Sequence, residues 1–164
     1  MNSNKCEQNK IIYFLSFFMV MLALIILNIY IRNYNSATYR SISNLPSYEL
    51  SRLSDNQNTK TKIMILYREG CGLCKKLESP ISKTVFRERV VNSKYEIIVL
   101  DLDKMTSKQL IQINNTVHGL GSNGVFKTPT VVLIDKSTNG WKVRKKAVGS
   151  NLENIIKILE ASNG

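Results

Sequence analysis

The chain has 164 residues, enough for one ordinary domain and an appendage. Its formal charge is +11, and the part from Lys62 onward is itself basic, with 17 Lys/Arg against 9 Asp/Glu. Three cysteines are too few for a disulfide-rich secreted scaffold. The basic residues neither interleave with aromatics nor form a nucleic-acid motif, so no nucleic-acid partner is expected.

Residues 1–10 read as a short N-terminal tail. Ile11 opens an apolar run that Ile31 closes, interrupted only by Ser16 and Asn28. As a helix these residues span roughly 31 Å, about the hydrocarbon thickness of a bilayer. Tyr13 and Tyr30 lie near the ends, where amphipathic rings favour the interface. The run is apolar on all faces, unlike a core helix, and longer than the apolar segment of a cleaved signal peptide. It predicts a single membrane anchor over 11–31. Lys5 and Lys10 before it balance Arg32 and Arg40 after it, so charge alone does not orient it. A short tail and a long C-terminal part fit an anchor whose domain is exported. Cys6 reads as an incidental free thiol.

Residues 32–60 are rich in Asn, Ser, Tyr and Arg, and no periodicity persists beyond a short helical stretch at 47–53. This segment is expected to be a stalk. The domain proper is expected over 61–164. Residues 62–67 read as a buried strand. A helix follows from Cys74 to about Val91, with Leu77, Ile81 and Val85 at helical spacing; Pro80 should bend it or end its first part. Residues 95–100 read as a second strand and 107–115 as a helix. A glycine-containing loop covers 118–124. Strands at 130–135 and 141–148 form a hairpin, and residues 152–161 close the chain as an amphipathic helix. The order β-α-β-α-β-β-α predicts an α/β domain: a mixed central sheet, its first pair parallel, flanked by helices.

The chemistry sits in Cys71-Gly72-Leu73-Cys74, directly after the first strand and opening a helix. Two thiols at that spacing form and break a disulfide with little backbone movement. They are also half of a zinc site, or a pair suited to Cu(I). The domain holds no further cysteine and one histidine, His118, which reads as a loop residue, so no metal is assigned. Nor does His118 make a nucleophilic-hydrolase dyad with Cys71, since nothing in the pattern brings them together.

This element order, with Cys71-Gly-Leu-Cys74, Thr128-Pro129-Thr130 and Gly149 before the last helix, resembles the thioredoxin family over about residues 61–164. The resemblance implies a thioredoxin-like fold and a thiol–disulfide oxidoreductase. Cys71 is then the exposed nucleophile and Cys74 the buried resolving thiol, with Gly72 and Leu73 between them. Pro129 corresponds to the family's cis-proline, and Thr128 offers its backbone to an extended substrate. No cofactor is implied beyond the Cys71–Cys74 disulfide itself. The implied partners are client proteins with disulfides and a membrane redox protein as electron donor.

The pattern departs from the common thioredoxin in three places. Gly70 replaces a tryptophan, Ile65 stands where a buried aspartate assists the second thiol, and about ten extra residues lie between Asp103 and Pro129. Together with Thr128 before the proline, these departures point away from a general cytosolic thioredoxin. They point towards a bacterial periplasmic disulfide reductase or isomerase on the inner membrane. A Cu(I) chaperone using the same pair, and a tethered binding module without redox activity, are the alternatives.

Overall fold

The computed structural model describes residues 3–54, 61–91, 95–121 and 124–160, with side chains described from Tyr13 onward in the first helix. The side chain of Cys6, residues 1–2, residues 55–60 of the expected stalk, residues 92–94, two residues of the 118–124 loop and the last four residues lie outside that description. The chain divides into two units, residues 1–36 and residues 37–164.

The first unit is helix α1 (Ser3–Asn35). Its stretch Tyr13–Asn35 is 23 residues long, with a mean hydropathy of 2.5, and is long and apolar enough to cross a membrane.

The second unit is built on a five-stranded sheet in the order β2-β1-β4-β5-β3. β1 (Lys62–Tyr67) is buried along its whole length, as a strand covered on both faces must be. Helix α4 (Gly72–Val91) carries the chain over to β2 (Glu96–Asp101), which pairs parallel with β1 from Lys62↔Glu96 to Tyr67↔Asp101. A short 3-10 turn (Leu102–Lys104) and α5 (Ser107–Thr116) lead to the two-residue strand β3 (Val117–His118). The hairpin β4 (Thr130–Ser137) and β5 (Gly140–Val148) is antiparallel, β4 lies antiparallel to β1, and α6 (Leu152–Leu159) closes the unit.

The alternation of each strand divides the core in two. Ile63, Ile65 and Tyr67 of β1, Ile97 and Val99 of β2, and Val131 and Leu133 of β4 face Leu77, Ile81 and Val85 of α4 and Ile155, Ile158 and Leu159 of α6. Met64, Leu66, Ile98, Leu100, Val132 and Ile134 face the other way, against Ile113 of α5, Phe126 and Trp141. The result is a mixed sheet between two layers of helices, a thioredoxin-like fold.

Three features differ from the sequence-based expectation. Of the two effects expected of Pro80, a bend or an early end, the end does not occur: α4 runs on past it to Val91. The apolar stripe of Leu77, Ile81 and Val85 is seated on the sheet on both sides of the proline, and this burial offsets the missing backbone donor. The short parallel strand β3 pairs only Val117↔Trp141 and His118↔Lys142, too few residues to leave a periodic signal.

The third difference concerns the expected stalk. Residues 37–54 belong to the folded unit. Helix α2 (Tyr39–Ile42) places Tyr39 and Ile42 in one core half, and α3 (Pro46–Ser54) places Leu50 and Leu53 in the other. α2 is opened by a capping box at Thr38 and Ser41. The end of α3 is fixed by the Trp141 indole, which donates to the Leu53 carbonyl at 2.8 Å. Beside it the fully buried Lys62 ammonium reaches both the Glu96 carboxylate and the Arg52 carbonyl. Arg52 in turn pairs with Glu49, which is itself buried. Polar, short elements of this kind carry little periodicity, and it is the sheet they pack on that makes them helices.

Candidate active site

Three segments converge where β1 ends. The first is the turn from β1 into α4. The Cys71 N–H donates to the Arg68 carbonyl at 3.2 Å, which folds the turn, and the Cys71 carbonyl accepts the first helical bond from Lys75 N–H at 3.1 Å. Cys71 is therefore the N-cap of α4, and its sulfur takes the N-cap acceptor role: the Cys74 N–H donates to Cys71 Sγ at 3.3 Å. Gly72, exposed at the first helical position, has nothing within 4 Å of a would-be Cβ. Leu73 packs half-buried against the core. Cys74 points inward and is 1 % exposed, whereas Cys71 is half-buried; both thiols are reduced.

The second segment is Thr128–Pro129, joined by a cis peptide bond. The Cys71 thiol lies 3.5 Å from the Thr128 carbonyl oxygen. The Thr130 hydroxyl donates to the Lys127 carbonyl at 2.7 Å, bracing the turn. On its far side Gly149 adopts a left-handed conformation (φ 81°), and its N–H donates to the Pro129 carbonyl at 2.9 Å. Gly149 thus links this turn to the start of α6.

The third segment is the 3-10 turn that follows β2, which the sequence reading did not place in the site. Asp103 holds the loop before Cys71 with both carboxylate oxygens: Arg68 Nη1 donates to one at 3.0 Å and the Gly70 N–H to the other at 3.3 Å. Lys104 pairs with Glu69 at 2.8 Å and with Asp101 at 2.9 Å. The hydrogen bond from Lys104 holds the Glu69 carboxyl below its usual range, so the negative charge nearest Cys71 in sequence is already neutralised. Gly70 leaves open the space a large side chain would fill; its would-be Cβ meets only Asp103, at 3.9 Å.

These surroundings split the two thiols. Partial burial opposes ionisation of Cys71, but hydrogen bonds from the side chains of Cys74 and Thr128 and from the N–H groups of Cys74 and Leu73 outweigh it. The Cys71 thiol sits below its ordinary value. Burial, and the hydrogen bond that Cys74 shares with Cys71, push the Cys74 thiol up to about 11. One thiol ionises more readily than an ordinary thiol and the other less readily. Lys75 and Lys76 are both exposed.

Thus Cys71, Gly72, Leu73, Cys74, Thr128 and Pro129 come together. His118 does not join them: it is exposed on β3, and its Nε2 lies 2.9 Å from the Asn139 carbonyl. Among the described residues, no three His, Cys, Asp or Glu side chains are grouped to hold a metal ion.

No protein-family model matches the chain, and no curated protein matches it. Solved structures do. A thioredoxin of Trichomonas vaginalis is 18% identical, covering 73% of this chain and 93% of its own, with a TM-score of 0.48. Mitochondrial thioredoxin 3 of Saccharomyces cerevisiae, in its oxidised form, is 19% identical over 75% of this chain and 97% of its own, with a TM-score of 0.49. A thioredoxin of Nicotiana alata is 19% identical over 74% and 89%, with a TM-score of 0.49. These are likenesses of fold; the strand order and the placement of Cys71 at the head of α4 stand on the chain's own structure.

Proposed function

We propose that this chain is a membrane-anchored thiol–disulfide oxidoreductase that reduces or isomerises disulfides in exported client proteins. The observation that carries the reading is the asymmetry of the pair. Cys71 is accessible at a helix N-terminus with its pKa lowered, and Cys74 is buried behind it with its pKa raised.

The Cys71 thiolate attacks one sulfur of a client disulfide. A Cys71–client disulfide forms, and the other client sulfur leaves with the electron pair and takes up a proton. Cys74, deprotonated, then attacks Cys71 Sγ. The Cys71–Cys74 disulfide forms and the second client sulfur leaves as a thiolate. The client gains two electrons and the protein loses them. The Thr128 carbonyl, 3.5 Å from Cys71, is a backbone acceptor for an extended client segment at the reacting sulfur. A membrane redox protein then returns the electrons to the pair.

α1 supplies the tether, and confinement to one surface raises the effective concentration of clients there. The site of action is the outer side of a bacterial inner membrane, with the domain in the periplasm. The preference for reduction or isomerisation over oxidation follows from Thr128 before the proline and from Gly72-Leu73 between the thiols.

The test is the reduction potential of the pair in the full chain, held in detergent micelles, equilibrated against glutathione and read by thiol trapping. A potential near or below about −270 mV supports a reductant, and one near about −120 mV would make it an oxidant. Absence of any reversible disulfide, with stoichiometric Cu(I) binding instead, would replace the redox reading by the metal-carrier one.

A further inference from the structure

Resolution of the mixed disulfide requires Cys74 to lose a proton, yet its thiol is 1 % exposed and pushed up to about 11. Cys74 is packed into the apolar cluster that contains Ile65, which is fully buried, with Leu77 and Ile81.

Cys74 also borders a cleft of about 310 Å³ whose lining includes Glu78 and Tyr39. Glu78 lies four residues along α4 from Cys74, hence on the same helix face. Its Oε1 accepts a hydrogen bond from the Tyr39 backbone N–H at 2.9 Å, which fixes the carboxylate from a different element. The Tyr39 ring is itself held, stacked on Tyr67 at 4.5 Å between centroids. Its buried hydroxyl has no hydrogen-bond partner among the described residues. A cleft of this volume, with Glu78 in its lining, has room for water and a carboxylate to bind it.

We propose that Glu78, positioned by the backbone of Tyr39, is the proton acceptor for Cys74, through water in this cleft. The proposal rests on the redox reading above. When the mixed disulfide resolves, the Cys74 proton passes to the Glu78 carboxylate and from there to solvent. The Cys74 sulfur keeps its electron pair and bonds to Cys71 Sγ, and the client sulfur leaves with the pair of the broken bond. The other titratable or charged groups on the cleft are Tyr39 and Arg40 of α2, Tyr67, Arg68 and Glu69 at the end of β1, and Lys75. Glu69, the second carboxylate among them, is engaged by Lys104.

The test uses the full reduced chain in detergent, in a Cys6→Ser background, mixed rapidly with dithiobis(nitrobenzoate). Capture by Cys71 releases one coloured thiol, and resolution by Cys74 releases the second. Glu78→Gln keeps an oxygen for the Tyr39 N–H but removes the base. It is expected to leave capture unchanged within about twofold and to slow resolution at least about tenfold at neutral pH. It is also expected to abolish the limb of the resolution rate that rises with carboxylate ionisation. Resolution at the parental rate across the pH range overturns the proposal. Equal slowing of both phases, the mark of a displaced helix start, overturns it as well. A parent chain with no second phase overturns the redox reading together with this one.

Discussion

Cys71 Sγ and the Thr128 carbonyl oxygen, 57 positions apart in sequence, lie 3.5 Å from each other. The contact joins the helix that carries the thiol pair to the turn that opens β4. β1, which pairs with β4 from Lys62↔Ile134 to Leu66↔Thr130, sets their separation. The Cys71 thiol and the backbone carbonyl beside it are therefore held by the sheet and not by a mobile loop.

The inequality of the two thiols gives the most direct prediction. Alkylation of the reduced chain by iodoacetamide should modify Cys71 with a pH midpoint below that of an ordinary thiol. Cys74 should stay unmodified until much higher pH, its midpoint near 11. Cys71→Ser should abolish disulfide reduction, whereas Cys74→Ser should accumulate client mixed disulfides on Cys71. Mass spectrometry of the alkylated and trapped species reads all three.

The raised Cys74 thiol also links stability to pH. A thiol whose folded pKa exceeds its unfolded value stabilises the fold below the unfolded pKa and loses that contribution as pH rises through the folded one. In the reduced protein, stability should decline from about pH 9, the ordinary value, to about pH 11 on this account. Comparing Cys71→Ser with Cys71→Ser/Cys74→Ala isolates the group: the double variant should lose less stability over that window. Urea unfolding at a series of pH values measures the difference, and parallel curves would exclude the linkage.

Residues 37–54 should be indispensable to the domain. Tyr39, Ile42, Leu50 and Leu53 are all buried in the sheet's two cores. Their removal exposes the surfaces they cover, at roughly 1.5–3 kcal/mol per side chain. That total is comparable to the whole stability of a small domain. A fragment beginning at residue 61 should unfold or aggregate where one beginning at residue 37 gives a cooperative thermal transition.

Lys62 should behave as a buried ion-pair partner. It is fully buried, its ammonium meets Glu96, and it lies 4.9 Å from the centre of the Trp141 ring. Lys62→Ala removes the buried ammonium from Glu96 and should cost about 3 kcal/mol in urea unfolding. A loss below about 1 kcal/mol would mean that the network contributes little.

The sequence by itself determined the parts whose information is local. An apolar run predicts an apolar helix, alternation and burial predict β1, β2, β4 and β5, and the spacing of Cys71 and Cys74 predicts a dithiol at a helix start. Each of these signals is repeated within a few neighbouring residues. Tertiary structure alone decided the rest. The short helix expected at 47–53 is present as α3, but α2 and α3 are held by contacts to strands and helices far along the chain, and it is those contacts that make residues 37–54 part of the domain and not a stalk. Asp103 reaches the Gly70 N–H only because β2 lies beside β1, and Glu78 meets Tyr39 only because α2 packs on α4. The sequence names the reacting atoms because they act as neighbours. The groups that hold the loop before Cys71 and the Glu78 carboxylate, Asp103 and the Tyr39 backbone, come from distant segments, and only the packed fold brings those segments together.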